Sequence, residues 1–268
     1  MRITIALVQF EVAPCKPLEN LERMEAFIRQ AVDKGAELVV FPEDAVTGPL
    51  RGQLDFVASA PNYLTHFQAL AIKYGVDLVP GSWTVEEAGL LYNTAHYINK
   101  DGTLAGAYRK INLWETEKAA ITPGNAVSVF PTAYGMVGLI ICWDISFPLL
   151  FADMNALGVE LVISPTYWSF TVPKEELKGV VDDEILLIDS LCTTRAFENN
   201  ILFAYCNAAG ELNAELAPDG TPGQDAVLSG RSQLTHPLDK VVRKAEGNKE
   251  VLLVATVELL RIPPVPVV

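Results

Sequence analysis

Gly35-Ala36-Glu37-Leu38-Val39-Val40-Phe41-Pro42 returns as Gly158-Val159-Glu160-Leu161-Val162-Ile163-Ser164-Pro165, at a constant offset of 123 residues (158 − 35 and 165 − 42). Each copy opens on glycine, runs apolar without alternation and closes on proline, the pattern of a fully buried strand bounded by turns. Ahead of the first copy, Leu21, Met24, Phe27, Ile28, Ala31 and Val32 recur at helical spacing. They predict an amphipathic helix over residues 18–34, with Gly35 placed to cap it. Further upstream, Arg2 to Phe10 alternates Ile3, Ile5 and Leu7 and predicts a first strand, ended by Pro14 and Pro17. Strand, helix and strand make a βαβ unit with a right-handed crossover. Repetition of such a unit predicts an α/β fold of two similar half-domains, each a sheet with helices on one side, packed sheet to sheet as a four-layer αββα sandwich. Chance likeness between two βα units is the alternative.

The rest of the chain extends this frame. Leu64, Phe67, Leu70 and Ala71 predict a helix over 62–74, followed by Gly75 and a short strand over 76–80. Residues 91–98 and 104–108 flank Asn99-Lys100-Asp101-Gly102, a hairpin signal. Residues 109–125 lack periodicity and contain Pro123-Gly124, and irregular segments of that length inside a compact domain are usually functional. Residues 184–199 predict a helix, and 201–206, 228–234 and 251–257 predict strands. With 268 residues, half of them hydrophobic, one domain over 1–268 is expected, its Pro-rich end at 262–268 forming a tail or an arm on a partner subunit.

Lys and Arg number 20 against 33 Asp and Glu, a net charge of −13 that argues against nucleic acid or an anionic membrane as partner. No stretch approaches the ~20 apolar residues of a membrane span. Met1 leads directly into strand-like sequence, so a cytoplasmic protein is expected. Cys15, Cys142, Cys192 and Cys206 are scattered without a CxxC, which suggests neither a disulfide framework nor a zinc site.

Among these thiols Cys142 stands out. Met136 to Pro148, MVGLIICWDISFP, delivers it from the apolar run Gly138 to Ile141 to the start of a turn. Reactive groups gather at such strand ends, and a thiol at a strand-to-helix elbow gains acidity from nearby backbone N–H groups. It needs a base. His96 falls in the hairpin, His236 in a turn and His66 on a helix, none at a strand end, whereas Glu43 follows a buried strand by two residues. Attack on a carbonyl also requires oxyanion stabilisation, for which Lys110 and the backbone N–H of Trp143 are candidates.

Phe41-Pro42-Glu43, Tyr108-Arg109-Lys110 and Ile141-Cys142-Trp143-Asp144 with Phe147-Pro148 together resemble the glutamate, lysine and cysteine motifs of the nitrilase, or carbon-nitrogen hydrolase, superfamily. Gln9, Gly81-Ser82, Tyr92-Asn93-Thr94, Pro123-Gly124, Pro165, Trp168, Arg195-Ala196, Glu198-Asn199, Asn207 and Gly230 extend the resemblance over nearly the whole chain. It implies an αββα sandwich and a Glu43-Lys110-Cys142 triad that opens a C–N bond through a thioester on Cys142. No metal or organic cofactor is implied, and homodimers or larger homo-oligomers are. Many members carry a second glutamate after the lysine, and Glu117 stands at the spacing of several of them; Glu115 is the competing position. Trp143 and Trp168 are expected as substrate-binding walls, with core packing as the alternative.

Departures bear on the substrate. Thr47-Gly48-Pro49 replaces a Thr-Gly-Tyr run common in relatives, Asp44 is an unusual neighbour for the base, and Ser146 stands where amidase-like members often have arginine. Trp143-Asp144 with Phe147-Pro148 resembles amidase and carbamoylase members, whereas nitrile-cleaving members usually show Trp-Glu. The expected substrate is therefore a small amide or N-carbamoyl compound, neutral or cationic in its acyl part and releasing ammonia. Nitrile hydrolysis, acyl transfer and an inactive binding protein are the alternatives.

Overall fold

The structure, a computed structural model, describes residues 2–50, 54–170, 177–212 and 226–259. The first half forms β1 (Arg2–Gln9), α1 (Pro17–Asp33), β2 (Leu38–Val40), α2 (Ala60–Tyr74), β3 (Asp77–Val79), β4 (Ser82–Glu87), β5 (Leu90–Ile98) and β6 (Leu104–Arg109). The second forms β7 (Ser128–Thr132), β8 (Gly135–Leu139), α3 (Pro148–Ala156), β9 (Leu161–Thr166), β10 (Ser169–Phe170), α4 (Leu177–Asn199) and β11 (Leu202–Asn207). After these come β12 (Glu211–Leu212), β13 (Ala226–Leu228), β14 (Gln233–His236), β15 (Lys240–Lys244) and β16 (Val251–Glu258).

Two large sheets result, ordered β16-β1-β2-β3-β5-β4 with β6 on β5, and β15-β14-β11-β9-β8-β7. The echoed octapeptides become β2 and β9. Each lies between two parallel neighbours, β1 and β3 for the first copy, β8 and β11 for the second. A strand covered on both faces has no reason to alternate, which accounts for their continuous apolar runs.

Alternation on β1 sorts the layers. Ile3, Ile5 and Leu7 share one core with Val137, Leu139, Leu161 and Ile163 of the second sheet. Ala6 and Val8 point the other way, toward Met24, Ile28 and Ala31 of α1 and Phe67 and Ala71 of α2. On the far side, α3 and α4 contribute Phe151, Met154, Ile188 and Cys192. The layers are thus helix, sheet, sheet, helix. Contacts across the middle include Tyr97 on Phe130, with ring centroids 5.6 Å apart, and the Cys206 thiol, which donates to the carbonyls of Val8 (3.3 Å) and Val40 (3.4 Å).

Helix ends follow their sequence signals. Pro17 opens α1, where a missing N–H costs no hydrogen bond, and Gly75 ends α2 in the left-handed region at φ 63°. The hairpin forms as expected, Tyr97 opposite Gly106 and Ala95 opposite Tyr108.

Two expectations fail. Residues 228–234 are not one strand: β13 joins the small sheet β10-β13-β12, β14 joins the second large sheet, and Ser229 to Ser232 bends between them. Gly230 (φ 59°) and Arg231 (φ 61°) turn the chain, and Asn207 Nδ2 holds the bend by donating to Ser229 Oγ and the Gly230 carbonyl. His236 ends β14 rather than lying in a turn, and its Nδ1 accepts from the N–H groups of Leu238 and Asp239. The segment 262–268 lies outside the described residues.

Candidate active site

Glu43, Lys110 and Cys142 arrive at one crevice from three different segments. Glu43 follows β2 of the first sheet, Lys110 follows β6 at the start of the irregular segment, and Cys142 opens the turn Cys142–Ser146 beyond β8 of the second sheet. Lys110 is 2 % and Glu43 4 % exposed. The Lys110 Nζ lies 2.8 Å from Glu43 Oε1 and 2.7 Å from Glu117 Oε2. Glu43 Oε2 accepts the backbone N–H of Tyr167 at 2.9 Å, and the Cys142 thiol faces the same carboxylate.

Local chemistry explains the placement. Cys142 takes φ 49°, a conformation unusual for a residue with a Cβ, at the elbow where strand passes into turn. The buried carboxylate of Asp144 holds that elbow by accepting from the Ile141 N–H, the Tyr108 hydroxyl, and the N–H and Nδ2 of Asn112. One carboxylate therefore ties the cysteine segment to the lysine segment. From α4, the Arg195 guanidinium donates to the Ile145 carbonyl at 2.9 Å. Gly81 is required beside the base, because at φ 86° a Cβ would lie 1.9 Å from the Pro42 carbonyl oxygen. Gly124 packs on the Arg109 carbonyl and donates its N–H to the Lys110 carbonyl at 2.8 Å.

The electrostatics are those of a crowded, dry site. Burial and the Glu117 charge push the Glu43 carboxyl upward while Lys110 opposes them, which moves a base toward the neutral range. For Lys110 burial works against the charge, but Glu43, Cys142 and Glu117 outweigh it and hold the ammonium well above its usual range. The expectation of an acidified thiol is corrected: burial and the Glu43 charge push Cys142 up, and Lys110 with the Tyr167 N–H only partly offsets them. Cys142 thus depends on a base at the moment of attack. Asp44 is driven well up by burial and by the charges of Glu43 and Glu117.

The two candidate second glutamates part company. Glu117 sits on Lys110, with its Oε2 also accepting the Trp114 N–H at 2.7 Å, whereas Glu115 is exposed and pairs with Lys118. Trp143 is half-buried beside the thiol, with its ring centroid 4.7 Å from Trp114 and 5.4 Å from Trp168. Trp168 donates its indole N–H to Glu184 at 2.7 Å. Sequence reasoning missed Trp114 and the Tyr167 N–H, and it named Asn93 only as part of a motif. Asn93 Nδ2 donates to Glu43 Oε1 (2.9 Å) and Glu117 Oε1 (3.1 Å). Among the described residues no group of three His, Cys, Asp or Glu side chains is placed to hold a metal ion.

Comparison with known proteins identifies the family and the fold. A family model described as carbon-nitrogen hydrolase matches residues 4–266. A Schizosaccharomyces pombe protein named "Probable nitrilase" is 30% identical, covering 97% of this chain and 90% of its own. The omega-amidase of Xenopus tropicalis is 30% identical, covering 96% and 89%. A crystal structure of a carbon-nitrogen hydrolase from Helicobacter pylori superposes with a TM-score of 0.87 at 26% identity, covering 96% and 89%. A mutant amidase from Nesterenkonia sp., in which acrylamide has added to the active-site cysteine, gives 0.77 at 25% identity, covering 96% and 93%.

Proposed function

The chain belongs to the carbon-nitrogen hydrolase family and is an amidase-like hydrolase; on that premise we propose that it cleaves the C–N bond of a small amide or N-carbamoyl compound through a thioester on Cys142. The carrying observation is the Lys110 ammonium pinned between Glu43 and Glu117, with the buried Cys142 thiol facing the same Glu43 carboxylate. Glu43 takes the thiol proton as sulfur attacks the carbonyl carbon. Lys110 and the Trp143 N–H stabilise the oxyanion. Glu43 then passes that proton to the amide nitrogen, the C–N bond breaks to release ammonia and leave the thioester, and water activated by Glu43 releases the acid and restores the thiol. Trp143 and Trp168 wall the acyl pocket. Glu43 and Glu117 share the single ammonium of Lys110, so a neutral or cationic acyl group suits the crevice better than an anionic one.

The test is ammonia release from aliphatic amides, N-carbamoyl amines and matching nitriles, with intact mass to catch the Cys142 acyl adduct. Faster turnover of the nitriles would replace this reading with nitrile hydrolysis, which the relative named as a nitrilase favours as the second choice. Acyl transfer would register as a new product when hydroxylamine is added.

A homodimer is part of the proposal. Leu149 on α3 and Leu186, Leu187 and Phe197 on α4 are exposed on two adjoining helices beside the crevice, an apolar face suited to a second copy. Sedimentation measures it. No helix among the described residues is long and apolar enough to cross a membrane, and free thiols at Cys15, Cys142, Cys192 and Cys206 suit the reducing cytoplasm.

A further inference from the structure

Asn93 lies on β5 with its side chain 4 % exposed. Its backbone carbonyl accepts the Lys110 N–H at 2.9 Å, and its Nδ2 reaches Glu43 Oε1 at 2.9 Å and Glu117 Oε1 at 3.1 Å. The amide can face only this way, since its oxygen would meet two carboxylates if turned. Lys110 Nζ bridges the same two carboxylates from the other side, at 2.8 Å to Glu43 and 2.7 Å to Glu117. Lys110, Glu43, Asn93 and Glu117 therefore close a ring. The Oδ1 of Asn93 is buried with no partner among the described residues, a costly arrangement that the contacts at the Nδ2 end must offset.

Two carboxylates share one ammonium here, and a hydrogen bond donated to a carboxylate favours its charged form. We propose that Asn93 is a positioning residue: its amide clamps Glu43 and Glu117 at fixed separation on Lys110 and gives the Glu43 carboxylate a neutral donor beside the ammonium. This rests on the proposed roles of Glu43 as base and Cys142 as nucleophile. The other groups acting on Glu43 are Lys110 and the Cys142 thiol, which favour its charge, and Glu117, which opposes it, while Asp44 and the Tyr205 phenol face it and are themselves pushed up in part by the Glu43 charge. Asn93 adds a second donor to Oε1 without adding charge.

The experiment measures two pH profiles between pH 5 and 9 in the full chain. One is kcat/KM for a small amide, the other the rate at which iodoacetamide alkylates Cys142, followed by intact mass. Asn93→Ala removes the donor and the orphaned acceptor together, so its thermal midpoint should stay near wild type. Its acid limb should move up by about one pH unit in both profiles, with about tenfold lower rates at pH 6 and recovery toward pH 8. Asn93→Ser, whose hydroxyl can reach one carboxylate, should give a smaller shift. Asn93→Asp, which adds a third carboxylate, should lose activity across the range. Rates lowered by Asn93→Ala and Asn93→Ser with both acid limbs unmoved would overturn the proposal, as would full activity in Asn93→Asp. Should wild type hydrolyse no amide, the alkylation profile still decides the role of Asn93, so the two readings fail separately.

Discussion

His96 should make the fold sensitive to mild acid. Its ring stacks on Trp83, centroids 4.6 Å apart, and its Nδ1 is buried without a partner among the described residues. Burial lowers its pKa from 6.5 to about 4, so the folded protein refuses a proton that the unfolded chain accepts between those values. Stability is therefore complete above pH 6.5 and falls as pH drops toward 4. At 1.36 kcal/mol per unit, a gap of roughly 2.5 units amounts to about 3 kcal/mol, with about 2 kcal/mol of it lost by pH 5. His96→Phe keeps a ring on Trp83 and removes the titration. Urea unfolding of both proteins at pH 7.5, 6.5, 5.5 and 4.5 should give a stability difference that is constant above pH 6.5 and shifts toward the variant by about 1.4 kcal/mol per unit below it. The buried carboxyls of Asp77 and Asp144 titrate in the opposite sense, but they are common to both proteins and cancel. A difference independent of pH would refute the argument.

Cys142→Ala should abolish turnover with little change in thermal midpoint, and retained turnover would remove it as the nucleophile. Lys110→Ala should cost on the order of 100- to 1000-fold in kcat, the usual effect of removing one oxyanion donor; a loss below about tenfold would exclude that role. Glu117→Gln should impair turnover and Glu115→Gln leave it near wild type, since Glu115 is 77 % exposed in its side chain and pairs only with Lys118; steady-state rates of the two variants decide between them. Gly81→Ala should displace Pro42 and with it Glu43, lowering both the thermal midpoint and kcat; an active, stable variant would show that the loop yields more easily than its 1.9 Å clash implies.

What the sequence made legible was whatever depends on periodicity or on a motif of fixed spacing. The apolar repeats placed α1, α2, β2 and β9, because a buried strand or an amphipathic helix has to display its burial in its residues. The bend between β13 and β14 escaped, because it is made by Asn207, remote in sequence, whose carboxamide binds Ser229 and Gly230. The proposed catalytic trio was accessible through three short motifs. Its supports were not: Asn93 bonds Glu43 across 50 residues, Tyr108 bonds Asp144 across 36, and the Tyr167 N–H is a backbone group with no side-chain signature. The thiol's pKa was misjudged because the elbow suggested backbone donors, whereas its burial and the Glu43 charge depend on the packed site.

Glu43 hangs from one sheet and Cys142 from the other, and the distance between those sheets is set by a broad apolar layer with a few hydrogen bonds across it, such as those of Cys206 and the Tyr167 N–H. The middle of the molecule therefore works as a caliper whose jaws are Glu43 and Cys142, the proposed base and nucleophile. A hydrogen bond weakens steeply over a few tenths of an ångström, while a hydrophobic layer yields by that much without coming apart. Trimming the layer between the jaws, at Leu7, Val40 or Cys206, would misalign Glu43 and Cys142 in a protein that still holds every strand in place.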